Sequence, residues 1–295
     1  MTNLIQHAID ALSVGSTYAL LALALTLVFS VMNLINFAFG MMLVWAGYAA
    51  IVMLDHGIPF ALMVPLCIAF SIVLSIFVGR VAFRPFIGAP PITLLITSFG
   101  VLLVIQYAAI LAFGEGPRIL ELPAFFSDVK TIGQVRIPVL EIITVATAVV
   151  VVTLFYALLN LTAFGAQIRA SAELPQIARL MGVKPDRVLM IVFAISGAIT
   201  GAAALLWFAK VGAITPRSDL EPTIKAFIAL VLGGLGSARG ALIGGLALGA
   251  VEVVMSATLP TGALGYQPAI VFAAVIAILL VRPAGLSGSG MEGAR

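Results

Sequence analysis

Two histidines, one cysteine and 12 Asp/Glu are the imidazole, thiol and carboxylate groups that 295 residues offer to acid–base or metal chemistry. His7 and His56 fall at the ends of apolar segments, and Cys67 sits inside an apolar run, where it reads as an ordinary helix residue. A lone cysteine excludes a disulfide framework and a thiolate metal site. No HExxH, GxSxG, Walker-A lysine loop or GxGxxG stands in the chain. Gly233-Gly234-Leu235-Gly236-Ser237 contains a GxG, but no strand precedes it, so it is no nucleotide cradle. Catalysis and ATP hydrolysis by this chain are therefore not expected, and no cofactor is.

The ionisable residues within apolar stretches carry more information, because charge inside a bilayer is costly and marks function by default. Glu252 is the clearest: it faces a polar pathway or a proton site, or it is a paired carboxylate near a helix end. Lys225 follows Glu221 by four residues, the favourable order for a helix surface pair. Arg239, between Gly236-Ser237 and Gly240, reads as a turn arginine. Glycines crowd the same region: Gly233, Gly234, Gly236, Gly240, Gly244, Gly245 and Gly249. Small residues four apart let membrane helices approach closely. A sharper reading is a solute gate of bare backbone, since broken helices at membrane depth line cavities.

Composition dictates the elements that hold these residues. The chain is 62% hydrophobic and 9% charged, with a mean hydropathy of +1.23 and a net charge of +3. A soluble domain is about 25% charged, so a water-soluble enzyme is excluded, as is a nucleic-acid binder. There is apolar material for about nine spans of roughly 20 residues each. Met1 to Asp10 holds no Lys or Arg, so no cleavable signal peptide is expected there. The spacing predicts an all-α polytopic membrane protein of eight or nine helices, a single permease domain over 1–295. Spans are expected over 11–34, 38–55, 59–79, 90–113, 139–161, 187–209, 222–236, 240–259 and 265–281. The first charge-free stretch, 11–54, is too long for one crossing and must break. Asn33-Leu34-Ile35-Asn36-Phe37-Ala38-Phe39-Gly40 supplies the poor helix formers to do so. Span 222–236 is short and reads as re-entrant or half-buried. The loop 114–138 reads as a solvated cap.

The two breaks echo each other at an offset of 200 residues, where Ala38, Gly40 and Ala50 match Ala238, Gly240 and Ala250. This suggests an internal repeat with discontinuous helices meeting at a solute site. Asn33, Asn36, Phe37, Phe39, Gly40, Gly233, Gly234 and Gly236 are the residues expected to line that pathway.

The loop 162–187 concentrates Arg169, Arg179, Lys184 and Arg187, which places it in the cytoplasm. With nine crossings the N-terminus is then outside and the C-terminus inside. Gly165 and Gly182 are expected to bracket a short helix, 174–181, with Pro175 in its first turn and Gly182 as its cap. Ile177, Leu180 and Met181 form one apolar face, suited to docking a partner protein.

Three motifs resemble a known family. Gly15-Ser16-Thr17-Tyr18-Ala19 with Ile35-Asn36-Phe37-Ala38-Phe39-Gly40 looks like the opening of permease subunits of high-affinity branched-chain amino acid ABC importers, the LivH-like group. Ile168-Arg169-Ala170 through Pro175, Ala178 and Leu180-Met181-Gly182-Val183 resembles that family's ATPase-contact loop. Lys225-Ala226-Phe227 through Gly233 to Gly245 resembles its late glycine motif. The resemblance implies a bacterial inner-membrane location, a second homologous permease, two cytoplasmic ABC ATPases that use the ATP, and a periplasmic solute-binding protein. It makes 162–187 the coupling loop, with Arg169, Ala170, Pro175, Ile177, Ala178, Arg179, Met181 and Gly182 at the ATPase contact. Phe39 and Met41 stand where the family commonly has a histidine and an acidic residue. A pathway there is more apolar, which leaves aromatic or other hydrophobic acids, short amides and urea open beside leucine, isoleucine and valine. The alternative from the residues alone is an ion-coupled secondary transporter, which needs a buried carboxylate–cation pair; Glu252 is its one eligible acid.

Overall fold

In lipid every backbone N–H and C=O must be satisfied within its own segment, so continuous apolar runs become helices. The computed structural model describes residues 2–32, 36–132, 135–173, 175–282 and 285–286. Its helices run α1 (Thr2–Met32), α2 (Phe39–Asp55), α3 (Phe60–Val78), α4 (Pro91–Phe113), α5 (Val139–Leu161), α6 (Ala163–Glu173), α7 (Pro175–Leu180), α8 (Pro185–Val211), α9 (Leu220–Gly233), α10 (Ala238–Thr258) and α11 (Gln267–Val281). After α3 the chain tightens through a π turn, Gly79–Phe83, and a 3-10 turn, Arg84–Phe86. Pro91 opens α4 and Pro185 opens α8, where the missing N–H is no loss. Gly212, at φ 79°, closes α8 in the left-handed region that other residues avoid.

Among the described residues, six helical segments are long and apolar enough to cross a membrane: Leu4–Met32, Phe60–Phe86, Pro91–Phe113, Val139–Leu161, Asp186–Val211 and Ala238–Thr258. The apolar α2 and α11 are shorter, at 17 and 15 residues. With 14 residues, α9 is shorter still. At about 1.5 Å per residue it reaches roughly 21 Å, against a bilayer core of about 30 Å. The expected short seventh span is thus a helix that falls short of a full crossing. The expected cap over 114–138 contains a 3-10 turn, Ala124–Ser127, and two short antiparallel pairings. Strand β1 (Arg118–Ile119) pairs with β4 (Ala213–Ile214), and β2 (Val129–Ile132) with β3 (Val135–Pro138).

Packing divides the chain into two interleaved units, 1–26 with 122–148 and 224–295, and 27–121 with 149–223. In the first, glycines let backbones touch. A Cβ at Gly245 would strike the backbone of Ala19, and one at Gly249 the backbone of Gly15. Likewise Gly233 abuts the Gly240 carbonyl and Gly244 the Ala229 carbonyl, which seams α9 to α10. In the second unit, Gly197 and Gly201 of α8 lie against Ser71, Ser75 and Ile68 of α3. Ser75 Oγ donates to the Phe193 carbonyl at 2.6 Å, satisfying a buried hydroxyl.

Candidate functional site

The first break lies in the second unit. Asn36 is 1% exposed. Its Oδ1 accepts the Ala38 N–H at 3.1 Å and its carbonyl accepts the Phe39 N–H at 3.2 Å, a local turn that opens α2. Its Nδ2 has no hydrogen-bond partner among the described residues. Phe37 stacks on Phe99 of α4 with ring centroids 4.4 Å apart. Phe39 and Gly40 are buried. A Cβ at Gly40 would collide with Thr223 Oγ1 and lie 2.5 Å from the Asp219 carbonyl oxygen. The first turns of α2 and α9 therefore meet here, and glycine is required by that approach. Gln106, on α4, donates to the Pro216 carbonyl at 3.3 Å and approaches Asp219 Oδ1 at 3.5 Å. Free N–H groups at helix starts favour negative charge, and here two such starts adjoin within the depth of α4. Asn33 lies outside the described residues.

The second break lies in the first unit. Gly233 ends α9, and Gly234 and Gly236 take φ values of 111° and 81°. Ser237 Oγ then accepts the Gly240 N–H at 3.1 Å and caps α10. Gly233 and Gly234 are buried, whereas Gly236 is exposed with open space where a Cβ would stand. The two breaks share a local plan. A side-chain oxygen accepts a backbone N–H at each restart, Asn36 in the turn before α2 and Ser237 as the cap of α10, and Gly40 or Gly240 follows within the first turn. Arg239 is exposed in the first turn of α10.

Glu252 finds its partner in the same unit. Lys225 Nζ is 2.5 Å from Glu252 Oε1 and 2.7 Å from the Tyr18 hydroxyl, which itself donates to Glu252 Oε2 at 2.7 Å. Gln267 Nε2 donates to the Glu252 carbonyl at 3.3 Å, bringing in α11. The Lys225 and Glu252 side chains are 19% and 21% exposed. This corrects the reading of Lys225 as a surface residue of a helix start: it points into the bundle, toward an acid 27 residues away in sequence. Sequence reasoning missed Tyr18. A tyrosine in an apolar helix needs a partner for its hydroxyl, and that was the available signal.

The loop 162–187 departs from expectation in one respect. Gly165 does not bracket the short helix but lies inside α6, where a Cβ would strike the Leu159 carbonyl. The rest of the short helix is as predicted. Gly182 sits at φ 85°, and Val183 N–H bonds the Ala178 carbonyl at 3.0 Å, a Schellman closure of α7. Ile177, Leu180 and Met181 are exposed, at 53%, 87% and 80%. Ala170 is exposed and Ala178 buried. Arg169 donates to the Leu159 carbonyl. The side chains of Pro175 and Arg179 lie outside the described residues. Beneath α7 an apolar cavity of about 260 Å³ is lined by Met32, Ala89, Leu94, Ala178, Val183 and Leu189. No group of three His, Cys, Asp or Glu among the described residues could hold a metal ion.

Comparison with known proteins gives these elements a context. The family described as branched-chain amino acid transport system, permease component, matches residues 7–282. The high-affinity branched-chain amino acid transport system permease protein LivH of Salmonella typhimurium is 34% identical over 96% of this chain and 95% of its own. BraD of Pseudomonas aeruginosa, a permease protein of the same kind of system, is 31% identical over the same shares. The fructose import permease protein FruF of Bifidobacterium longum is 29% identical over 92% of this chain and 75% of its own. No solved structure matches.

Proposed function

This chain belongs to the permease family of branched-chain amino acid transport systems, and we propose that it carries branched-chain or other hydrophobic amino acids across the bacterial inner membrane as the permease of an ATP-driven importer. The match over almost the whole chain is the observation that carries this reading. The chain itself is a transport component. ATP is hydrolysed by two separate cytoplasmic ATPase subunits, a second homologous permease completes the membrane part, and a periplasmic binding protein delivers the solute.

Within that assembly α7 is the coupling helix. Its exposed Ile177, Leu180 and Met181 face an ATPase, and the glycine-capped turn at 182 keeps it rigid enough to transmit closure of the ATPase pair. The N-terminus is periplasmic and the C-terminus cytoplasmic. The solute passes the breaks at Asn36, Phe37, Phe39 and Gly40 and at Gly233, Gly234 and Gly236. Asn36 Nδ2, which has no partner among the described residues, and the adjoining starts of α2 and α9 suit an anionic group in transit, such as an amino-acid carboxylate. Phe39 and Met41 make this break apolar, which keeps aromatic and other hydrophobic acids, short amides and urea among the candidate solutes.

The test is uptake of radiolabelled leucine, phenylalanine and urea by proteoliposomes holding this permease with its partner permease, ATPases and binding protein. ATP-dependent uptake of an apolar amino acid is expected. The Lys225–Glu252 pair is also what an ion-coupled carrier would need. Uptake by this chain alone under an imposed proton gradient would replace the ATP-driven reading with that one.

A further inference from the structure

The Lys225–Glu252 pair is surplus to helix packing. Tyr18 is the midpoint of the apolar span Leu4–Met32, with roughly 21 Å of helix on either side. The pair bonded to it therefore lies within the apolar length of α1, and Glu252 stands inside the apolar span Ala238–Thr258. Charges there are expensive, and replacing a buried ion pair by apolar groups is often neutral or stabilising. Nor are they needed to hold the three helices together. Gly245 and Gly249 already seat α10 on the α1 backbone, and Gly233 and Gly244 seat α9 against α10. Yet about a fifth of each charged side chain remains accessible. A charge pair that is costly, redundant for packing and still reachable calls for a polar visitor. It lies on the helix that ends in the second break, two turns before Gly233.

We infer that Lys225, Glu252 and Tyr18 form a recognition site for the zwitterionic head of a neutral α-amino acid, with Lys225 taking the carboxylate and Glu252 the ammonium. This rests on the amino-acid reading above and adds the group that reads the solute. The exchange is charge-balanced. The ammonium of Lys225 leaves one carboxylate for another, and the carboxylate of Glu252 leaves one ammonium for another. No unpaired charge is created at membrane depth during the step. The Tyr18 hydroxyl, bonded to both partners, holds their separation when the pair opens. A solute lacking either charge would leave one partner uncompensated, so amines and simple acids are disfavoured relative to zwitterions.

The experiment uses the complete importer in proteoliposomes and compares wild type with K225M/E252L, an apolar pair of similar volume, with K225M alone, and with the reversed pair K225E/E252K. Three quantities are read: assembly and melting of the complex, ATP-driven uptake of radiolabelled leucine, and leucine binding by the detergent-purified complex without the binding protein. The inference expects K225M/E252L to assemble and melt like wild type while its uptake falls at least tenfold and its direct leucine binding is lost. A reversed pair that restores binding of the zwitterion agrees with it, since either polarity can receive both charges. Uptake by K225M/E252L within twofold of wild type would reduce the pair to a structural clamp. Failure of K225M/E252L to assemble would assign the pair to holding subunits together. Either result overturns the inference. Absence of amino-acid uptake by the wild-type importer would instead overturn the amino-acid reading itself.

Discussion

Gly40 shows how one side chain's absence sets a junction. Its Cα faces Thr223 Oγ1 and the Asp219 carbonyl, so an added methyl must displace the first turn of α9. Gly40→Ala is expected to cost about 1–3 kcal/mol through overpacking, measured as a lowered melting temperature of the purified complex. Thr223→Ala removes one of the two obstructing atoms and should recover part of the loss in the double variant. No recovery would mean that the backbone carbonyl alone sets the limit. Lys225 makes the opposite case, a side chain whose presence matters. Removing it alone leaves Glu252 paired with no cation at membrane depth, and breaking a buried pair costs up to about 3–5 kcal/mol. K225M should therefore melt well below K225M/E252L, although the double variant has lost more polar groups. Equal melting would show that solvent reaches Glu252 freely.

At the scale of elements, the proposed roles fall on α7 and α9, and both are short. Six residues of α7 are too few to hold a helix by propensity alone. The left-handed Gly182 and the Val183–Ala178 bond close it instead. Gly182→Ala is strained at that φ and should cost about 1 kcal/mol, too little to stop membrane assembly. If α7 couples as proposed, uptake per ATP hydrolysed should drop sharply while basal hydrolysis persists. Ile177→Asp, at an exposed position, should leave melting unchanged and weaken co-purification of the ATPase subunits. Retained co-purification with normal uptake would remove α7 from the contact. The Arg84–Asp186 bridge, which ties the 3-10 turn to the start of α8, is exposed on both sides. Its loss should cost no more than about 1 kcal/mol.

For the whole molecule, the orientation is the property with most leverage. Cys67 is buried, its thiol donating to the Ala46 carbonyl at 3.1 Å, so the native chain offers no reactive background to surface labelling. Cysteines introduced at Lys130, in the β2–β3 hairpin, and at Met181, beside α7, should label oppositely in intact cells. A membrane-impermeant maleimide should reach position 130 from outside and position 181 only after lysis. Labelling of both from one side would refute the crossing pattern and put the coupling assignment of α7 in conflict with a cytoplasmic ATPase.

The sequence by itself determined the class, the family and most helix limits. A chain that is 62% hydrophobic with charge-free runs has few ways to satisfy its backbone in lipid, and most of those runs became helices within a few residues of where they were expected; 139–161 matches to the residue, whereas α1 begins at Thr2, well before the expected start at residue 11, because the helix continues through the polar residues that precede the charge-free run. Local signals were equally legible. Pro175 and Gly182 framed α7, and Asn36 and Ser237 stood where helices restart. What only the tertiary structure decided was who meets whom. Nothing local to Lys225 announced that its ammonium reaches Tyr18 and Glu252, 207 and 27 residues away in sequence. Gly165 looked like a boundary and proved to be an interior close contact. The difference is physical. Hydrophobic run length and capping act within a few residues, whereas the pairing of rare polar groups in an apolar medium is settled by which helices pack, and that depends on every glycine along their seams.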